Sequence, residues 1–150
     1  AKVLEKGFQD GVVEETEENL QRLVQLYMLA NEYEVALVPA VKAAEMGETG
    51  ASYDQLGYIY YMMHDYANAA ASMRQALDRG GLENTGDAQL FLARALVELD
   101  QFDEATTAAR TALELGETSA TSFLNYIENS KARFDNLKQR KDEAIDFYRS

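Results

Sequence analysis

Ala36, Ala69 and Ala105 stand 33 and 36 residues apart, and five further positions keep step at the same offsets. Leu23, Leu56 and Leu92 match, as do the aromatics Tyr33, Tyr66 and Phe102. Ala43, Ala76 and Ala112 follow, then Gly47, Gly80 and Gly116, while Tyr27 and Tyr60 align with Leu96. A period of this length marks stacked units, none of which can bury its apolar face alone.

Each slot has a physical reason. Leu and Tyr recur at helical spacing and give the first helix of every unit one apolar stripe. The small Ala residues let the second helix approach it closely, and the aromatic before that helix fills the gap at the turn. The closing Gly is expected to supply a left-handed residue that ends the second helix. Helices are predicted over 17–30 and 33–46, 51–63 and 66–79, 87–98 and 102–115, with Thr16 and Asp87 as N-caps for the first and fifth. Pro39 falls inside the second helix, where a missing donor predicts a kink.

Two segments flank these hairpins. Residues 1–12 read as the end of a preceding repeat and a loop, with residues 2–6 as a last helical turn closed by Gly7, as if the chain were the C-terminal end of a longer array. Residues 13–118 hold three units, at about 17–47, 51–80 and 87–116. Residues 119–150 form one long helix whose apolar stripe runs Phe123, Ile127, Phe134 and Leu137, then weakens through Lys141, Ala144 and Tyr148. The first half suits a cap. The second reads either as a helix running into solvent or as a docking arm or self-association seam.

Charge and composition narrow the function classes. The net charge is −12, yet residues 131–150 carry six basic against four acidic side chains, so the body is acidic and the tail mildly basic. An acidic body repels nucleic acid and anionic lipid, and neither is expected as a partner. The absence of cysteine removes disulfides, thiolate metal sites and a thiol nucleophile. His64, the only histidine, stands beside Asp65 in a predicted turn without a second His or a nucleophile motif. The acidic run Glu14-Glu15-Thr16-Glu17-Glu18 fits a helix start better than a metal site. No catalytic residue, metal site or cofactor is expected, and no apolar run approaches the roughly 20 residues needed to span a bilayer.

The ladder resembles the tetratricopeptide repeat. The second unit matches best, with Tyr53, Leu56, Gly57, Tyr60, Ala69 and Ala76 in consensus slots. Leu20 and Gln89 stand where a large aromatic is usual, and Val24 and Ala93 replace Gly. The resemblance implies an all-α fold, a tetratricopeptide-repeat α-solenoid of three helical hairpins with a long C-terminal capping helix. It also implies a concave groove lined by the first helices. In the repeat register that groove carries Gln21, Gln25 and Met28, then Asp54, Tyr58, Tyr61 and Met62, then Leu90, Arg94 and Val97. Tyr and Met there suit an extended or helical peptide. Chaperone-binding members grip a carboxylate with a basic clamp, but the corresponding slots hold Gln21, Gln25, Asp87 and Phe91.

Three stretches are similar to a narrower group. They are Glu5 to Glu15 running into Asn19-Leu20, then Ala76 to Leu82 with Gly86, and Phe123 to Glu128. They resemble the C-terminal region of tetratricopeptide proteins that accompany TonB–ExbB–ExbD systems in gammaproteobacteria, across most of residues 4–128. That group often carries a Trp near the start of its last helix, where Phe123-Leu124 stands here. This resemblance implies a periplasmic scaffold that assists energy transduction to outer-membrane receptors for iron complexes, with a TonB, ExbB or ExbD component as partner. Two other readings stay open. One is a self-assembling module that pairs through the solenoid ends or the C-terminal helix, and the other is a general peptide-binding adaptor.

Overall fold

The computed structural model describes residues 1–149, so Ser150, the last residue of the expected C-terminal segment, lies outside the described residues. The described residues form helices joined by short turns, without strands. These are α1 (Lys2–Gln9), α2 (Glu17–Leu29), α3 (Tyr33–Met46), α4 (Ala51–Met62), α5 (Tyr66–Arg79), α6 (Thr85–Glu98), α7 (Phe102–Glu114) and α8 (Ala120–Arg149). Three antiparallel hairpins, α2–α3, α4–α5 and α6–α7, stack in chain order. This is the tetratricopeptide α-solenoid.

Burial follows the ladder. Ala36, Ala43, Ala69, Ala76, Ala105 and Ala112 are all sealed from solvent, and with no side chain beyond Cβ they let paired helices close up. Leu23, Val24 and Tyr27 meet the row on α3, and Leu92, Ala93 and Leu96 meet the row on α7. Pro39 is buried inside α3 without ending it, although the Val35 carbonyl loses its helical donor there. Consecutive units are tied at their edges. Arg79 donates to the Ala44 and Gly47 carbonyls and lies over the Tyr53 ring at 4.6 Å.

The left-handed residues match the expectation only in part. Gly80 and Gly116 have positive φ, but Gly47 is extended at φ −71°. A Cβ on Gly47 would meet the Glu17 carboxylate, the far end of a side chain that can swing aside, so neither φ nor close approach demands glycine there. The recurring left-handed position is at the other end of each hairpin, at Asn31, His64 and Asp100, with φ of 56°, 61° and 58°. Their offsets are those of the ladder. At each turn the following residue, Glu32, Asp65 or Gln101, donates its N–H across to Tyr27, Tyr60 or Leu96, each at 2.9 Å. That is the Schellman closure, which satisfies carbonyls a helix end would leave bare.

Other boundaries also move. α1 continues through Gly7 to Gln9, and the left-handed residue that ends it is Gly11, φ 68°. Gly7 is needed because a Cβ would strike Val13. Thr16 caps α2 by accepting from the Asn19 N–H, as predicted. α6 begins two residues early, at Thr85, because Asn84 and not Asp87 is its N-cap and accepts the Asp87 N–H at 3.0 Å.

α8 takes the place of a fourth first helix. Ser52 and Ile59 on α4, Ala88 and Ala95 on α6, and Ala120 and Ile127 on α8 are each seven residues apart, and all six are buried against the preceding hairpin. The slots that face a partner helix in α6, Leu92, Ala93 and Leu96, correspond to Leu124, Asn125 and Glu128. Asn125 and Glu128 are exposed, so this face accepts solvent and the array closes. The packed part of the stripe ends at Phe134, which meets Phe102 at 5.6 Å. Leu137 does not pack as a cap residue: it is 64% exposed, as is every described residue beyond Ser130 to some large degree.

Candidate interaction face

The first helices α2, α4 and α6, with α8 beyond them, line up along one side of the solenoid, and the predicted groove residues divide there into three sets. Tyr58 and Tyr61, one turn apart on α4, flank Phe91 of α6 with ring centroids 5.4 and 5.3 Å away. Tyr33 extends the row beyond Tyr58 at 6.4 Å, and Tyr66 extends it beyond Tyr61 at 5.4 Å. Arg94 lies over Phe91, 5.4 Å from the ring centre. A cross-repeat aromatic row thus passes through the middle of the face, with a cation on it.

A hollow lies at each side of this row. Gln25, Met28, Leu29, Tyr33 and Tyr58 line one of about 350 Å³. Tyr61, Arg94, Val97, Glu98, Phe123 and Tyr126 line the other, of about 340 Å³. Burial, followed by the neighbouring Tyr33, raises the Tyr58 hydroxyl above its ordinary range. Burial and then Glu98 raise Tyr61, with Arg94 opposing. Both shifts run upward, so the two hydroxyls keep their protons at neutral pH, with that of Tyr58 shared with Tyr33.

The remaining predicted residues behave differently. Leu90 is 1% exposed and packs with Ala112, Ala120 and Phe123, so it belongs to the core and not to the groove. Val97 is likewise in the core, touching the second hollow only at its edge. In both cases α8 covers a surface that the repeat register alone leaves open. Gln21 is half-buried and engaged, donating to Ser52 Oγ at 2.7 Å and to Glu17 at 3.2 Å. Met62 lines a separate hollow at the hairpin turns with Asn31, Glu32 and His64. His64 itself is a turn residue whose Nδ1 meets the Tyr66 hydroxyl at 2.7 Å. Phe91, Tyr33, Tyr66 and Tyr126 were missing from the predicted groove. Phe91 is not marked by the repeat, because the residue 36 positions before it is Gln55 and not an aromatic.

Asp54 is half-buried on α4, and burial, then the charge of Asp87, raises its carboxyl above the ordinary value of 3.8. The native state therefore holds this proton to higher pH than the unfolded chain. Stability is lost as pH rises through that window and stays lower above it. Asp54→Asn is expected to raise the melting temperature at pH 7, the gain vanishing as pH falls below the ordinary aspartate range. Thermal unfolding at several pH values checks this; a gain independent of pH would contradict it.

Among the described residues no group of three or more His, Asp or Glu is placed to hold a metal ion. None of their helices is long and apolar enough to cross a membrane.

No protein-family model matches the chain, and no curated protein matches it either. Solved structures do. The first tetratricopeptide domain of Spaghetti (RPAP3), bound to the HSP90 peptide SRMEEVD, is 18% identical with a TM-score of 0.71, over 77% of this chain and 93% of that one. The Arabidopsis OM64 tetratricopeptide domain is 16% identical with a TM-score of 0.69, over 75% and 94%. YrrB, a tetratricopeptide protein with an unusual peptide-binding site, is 26% identical with a TM-score of 0.70, over 89% and 68%. The fold is that of tetratricopeptide-repeat domains.

Proposed function

We propose that this chain is a non-catalytic interaction scaffold that takes a peptide, extended or helical, across the Tyr58–Phe91–Tyr61 row. The row is the observation that carries the reading. Aromatics in tilted and edge-to-face contact across a repeat boundary, with tyrosine hydroxyls and an adaptable Met28 beside them, are the surface on which few residues supply most of the binding energy. Two similar folds, those of RPAP3 and YrrB, are peptide binders. The partner's charge is constrained as well. Asp87 stands in a slot where a clamp would need a cation, and Asp54 lies near enough to feel its charge, so a peptide ending in free carboxylates is repelled and a neutral or basic one is preferred.

The finer reading is a periplasmic accessory of TonB-type transduction, with a TonB, ExbB or ExbD component as the peptide's source. It rests on the resemblance of the segments around Phe8, Leu77 and Phe123. A general peptide adaptor would use the same row.

One experiment addresses both levels. The chain is used to capture proteins from detergent-solubilised bacterial envelope, beside the variant Tyr58→Ala, Phe91→Ala and an unrelated repeat domain. Each substitution is expected to weaken capture by roughly 30-fold, the loss of about 2 kcal/mol typical of an aromatic anchor. Capture indifferent to both substitutions would remove the row from the proposal. Enrichment of proteins other than TonB, ExbB and ExbD would leave the adaptor and dismiss the finer reading.

A further inference from the structure

A second surface lies at the opposite end of the solenoid from α8. Where α1, α2 and α3 meet, a hollow of about 380 Å³ is floored by Phe8, Leu20, Leu23, Val35 and Val38. Val35 is 48% and Val38 66% exposed. Hairpin packing does not require them to be apolar, because the same slots hold Asn68 and Ala71 in the second unit and Glu104 and Thr107 in the third. Glu5, Glu15 and Glu34 stand on its rim, and the single cation there, Lys42, is already paired with Glu15 at 3.1 Å. The floor is apolar and the rim is negative.

The chain carries the complement of this surface on α8. From Arg133 to Lys141 the helix is exposed, with Arg133, Lys138, Arg140 and Lys141 against Asp135 alone, and Leu137 at the centre. This stretch is nine residues, about 12 Å of helix. The groove's lining on α3, Glu34 to Lys42, is also nine residues. Apart from Phe134, which meets Phe102, both surfaces are open: Leu137 and its basic neighbours are exposed, and so are Val35 and Val38. They lie at opposite ends of the stack of three hairpins, so the match is between copies.

We propose that the α8 segment Arg133–Lys141 of one copy docks into the α1–α2–α3 groove of a second copy, with Leu137 entering over Val35 and Val38 and the basic side chains meeting the glutamate rim. Such a contact is heterologous, since the groove of the second copy is filled while its own α8 stays free. It propagates head to tail. It is independent of the peptide row, which lies on the first-helix face.

The test uses two surface variants of the whole chain. Val38→Lys puts a cation under a basic helix, and Leu137→Glu puts an anion against the acidic rim. Both positions are mostly exposed, so thermal unfolding should match wild type. In sedimentation velocity over a concentration series, wild type is expected to grow in mass beyond a dimer, and less so at 0.5 M salt. Each variant alone is expected to stay monomeric. Mixed one to one, they keep one intact groove and one intact helix, and should give a dimer that grows no further. A wild type that remains monomeric to millimolar concentration overturns the proposal. So does a Val38→Lys variant that associates like wild type, which would mean α8 pairs with α8. A mixture that stays monomeric overturns it too.

Discussion

Gly50→Ala is expected to lower stability by at least about 3 kcal/mol, the upper range for forcing atoms into a filled site. Gly50 begins α4 at the junction between the first and second hairpins, and its N–H donates to the Gly80 carbonyl at 2.8 Å. A Cβ there would stand 2.0 Å from the Ala76 carbonyl oxygen and 2.7 Å from its carbon. Both obstacles are backbone. No rotamer change relieves them, so α5 must move away from α4 or the junction must open. For a chain of this length the melting temperature should fall by about 10 °C. Gly11→Ala is the control. It meets nothing within 4 Å and has only a left-handed φ to bear, which costs about 1 to 2 kcal/mol. Equal losses from the two substitutions would refute the close-approach argument.

Ile127→Ala is expected to cost about 3 to 4 kcal/mol, within the usual range for emptying a buried aliphatic site. Ile127 is 1% exposed and is the deepest contact of α8 with the core of the second and third units. Ala120 offers only a methyl group, already buried, and cannot compensate. Since little of α8 beyond Phe134 packs, the loss should fall on the helix as a whole. Limited proteolysis should release α8 before the three hairpins are cleaved. A variant that unfolds with α8 and the hairpins inseparable would show that the cap and the array form one cooperative unit.

The ladder was legible because each of its positions demands a residue type. An alanine buried between helices admits little else, and a leucine stripe is fixed by helical spacing. Asn31, His64 and Asp100 recur with equal regularity and are the residue types that bear a left-handed backbone most readily after glycine, but they are three different residues. Sequence comparison had no common letter to find there. Asn84 and Asp87 are both competent caps, and only the completed turn shows that Asn84 accepts and Asp87 donates.

The groove was legible in part. Tyr58 and Tyr61 face their side of α4 by register, but Leu90 and Val97 share that register and are buried all the same. What covers them is α8, through Ala120 and Phe123, and α8 stands outside the period from which the register was read. Phe91 shows the converse. Its repeat mate is Gln55, not an aromatic, and it gains its meaning only when α6 lies against Tyr58 and Tyr61.

The polar face of α8 bears on how such a chain can grow over generations. A duplicated hairpin inserted ahead of Ala120 would meet α8 as α7 does, on a surface already shaped to receive it. A copy appended after α8 would have to settle on Asn125 and Glu128, which offer it nothing to bury. On this geometry a unit gained ahead of α8 finds a surface to pack on, and a unit gained after it does not.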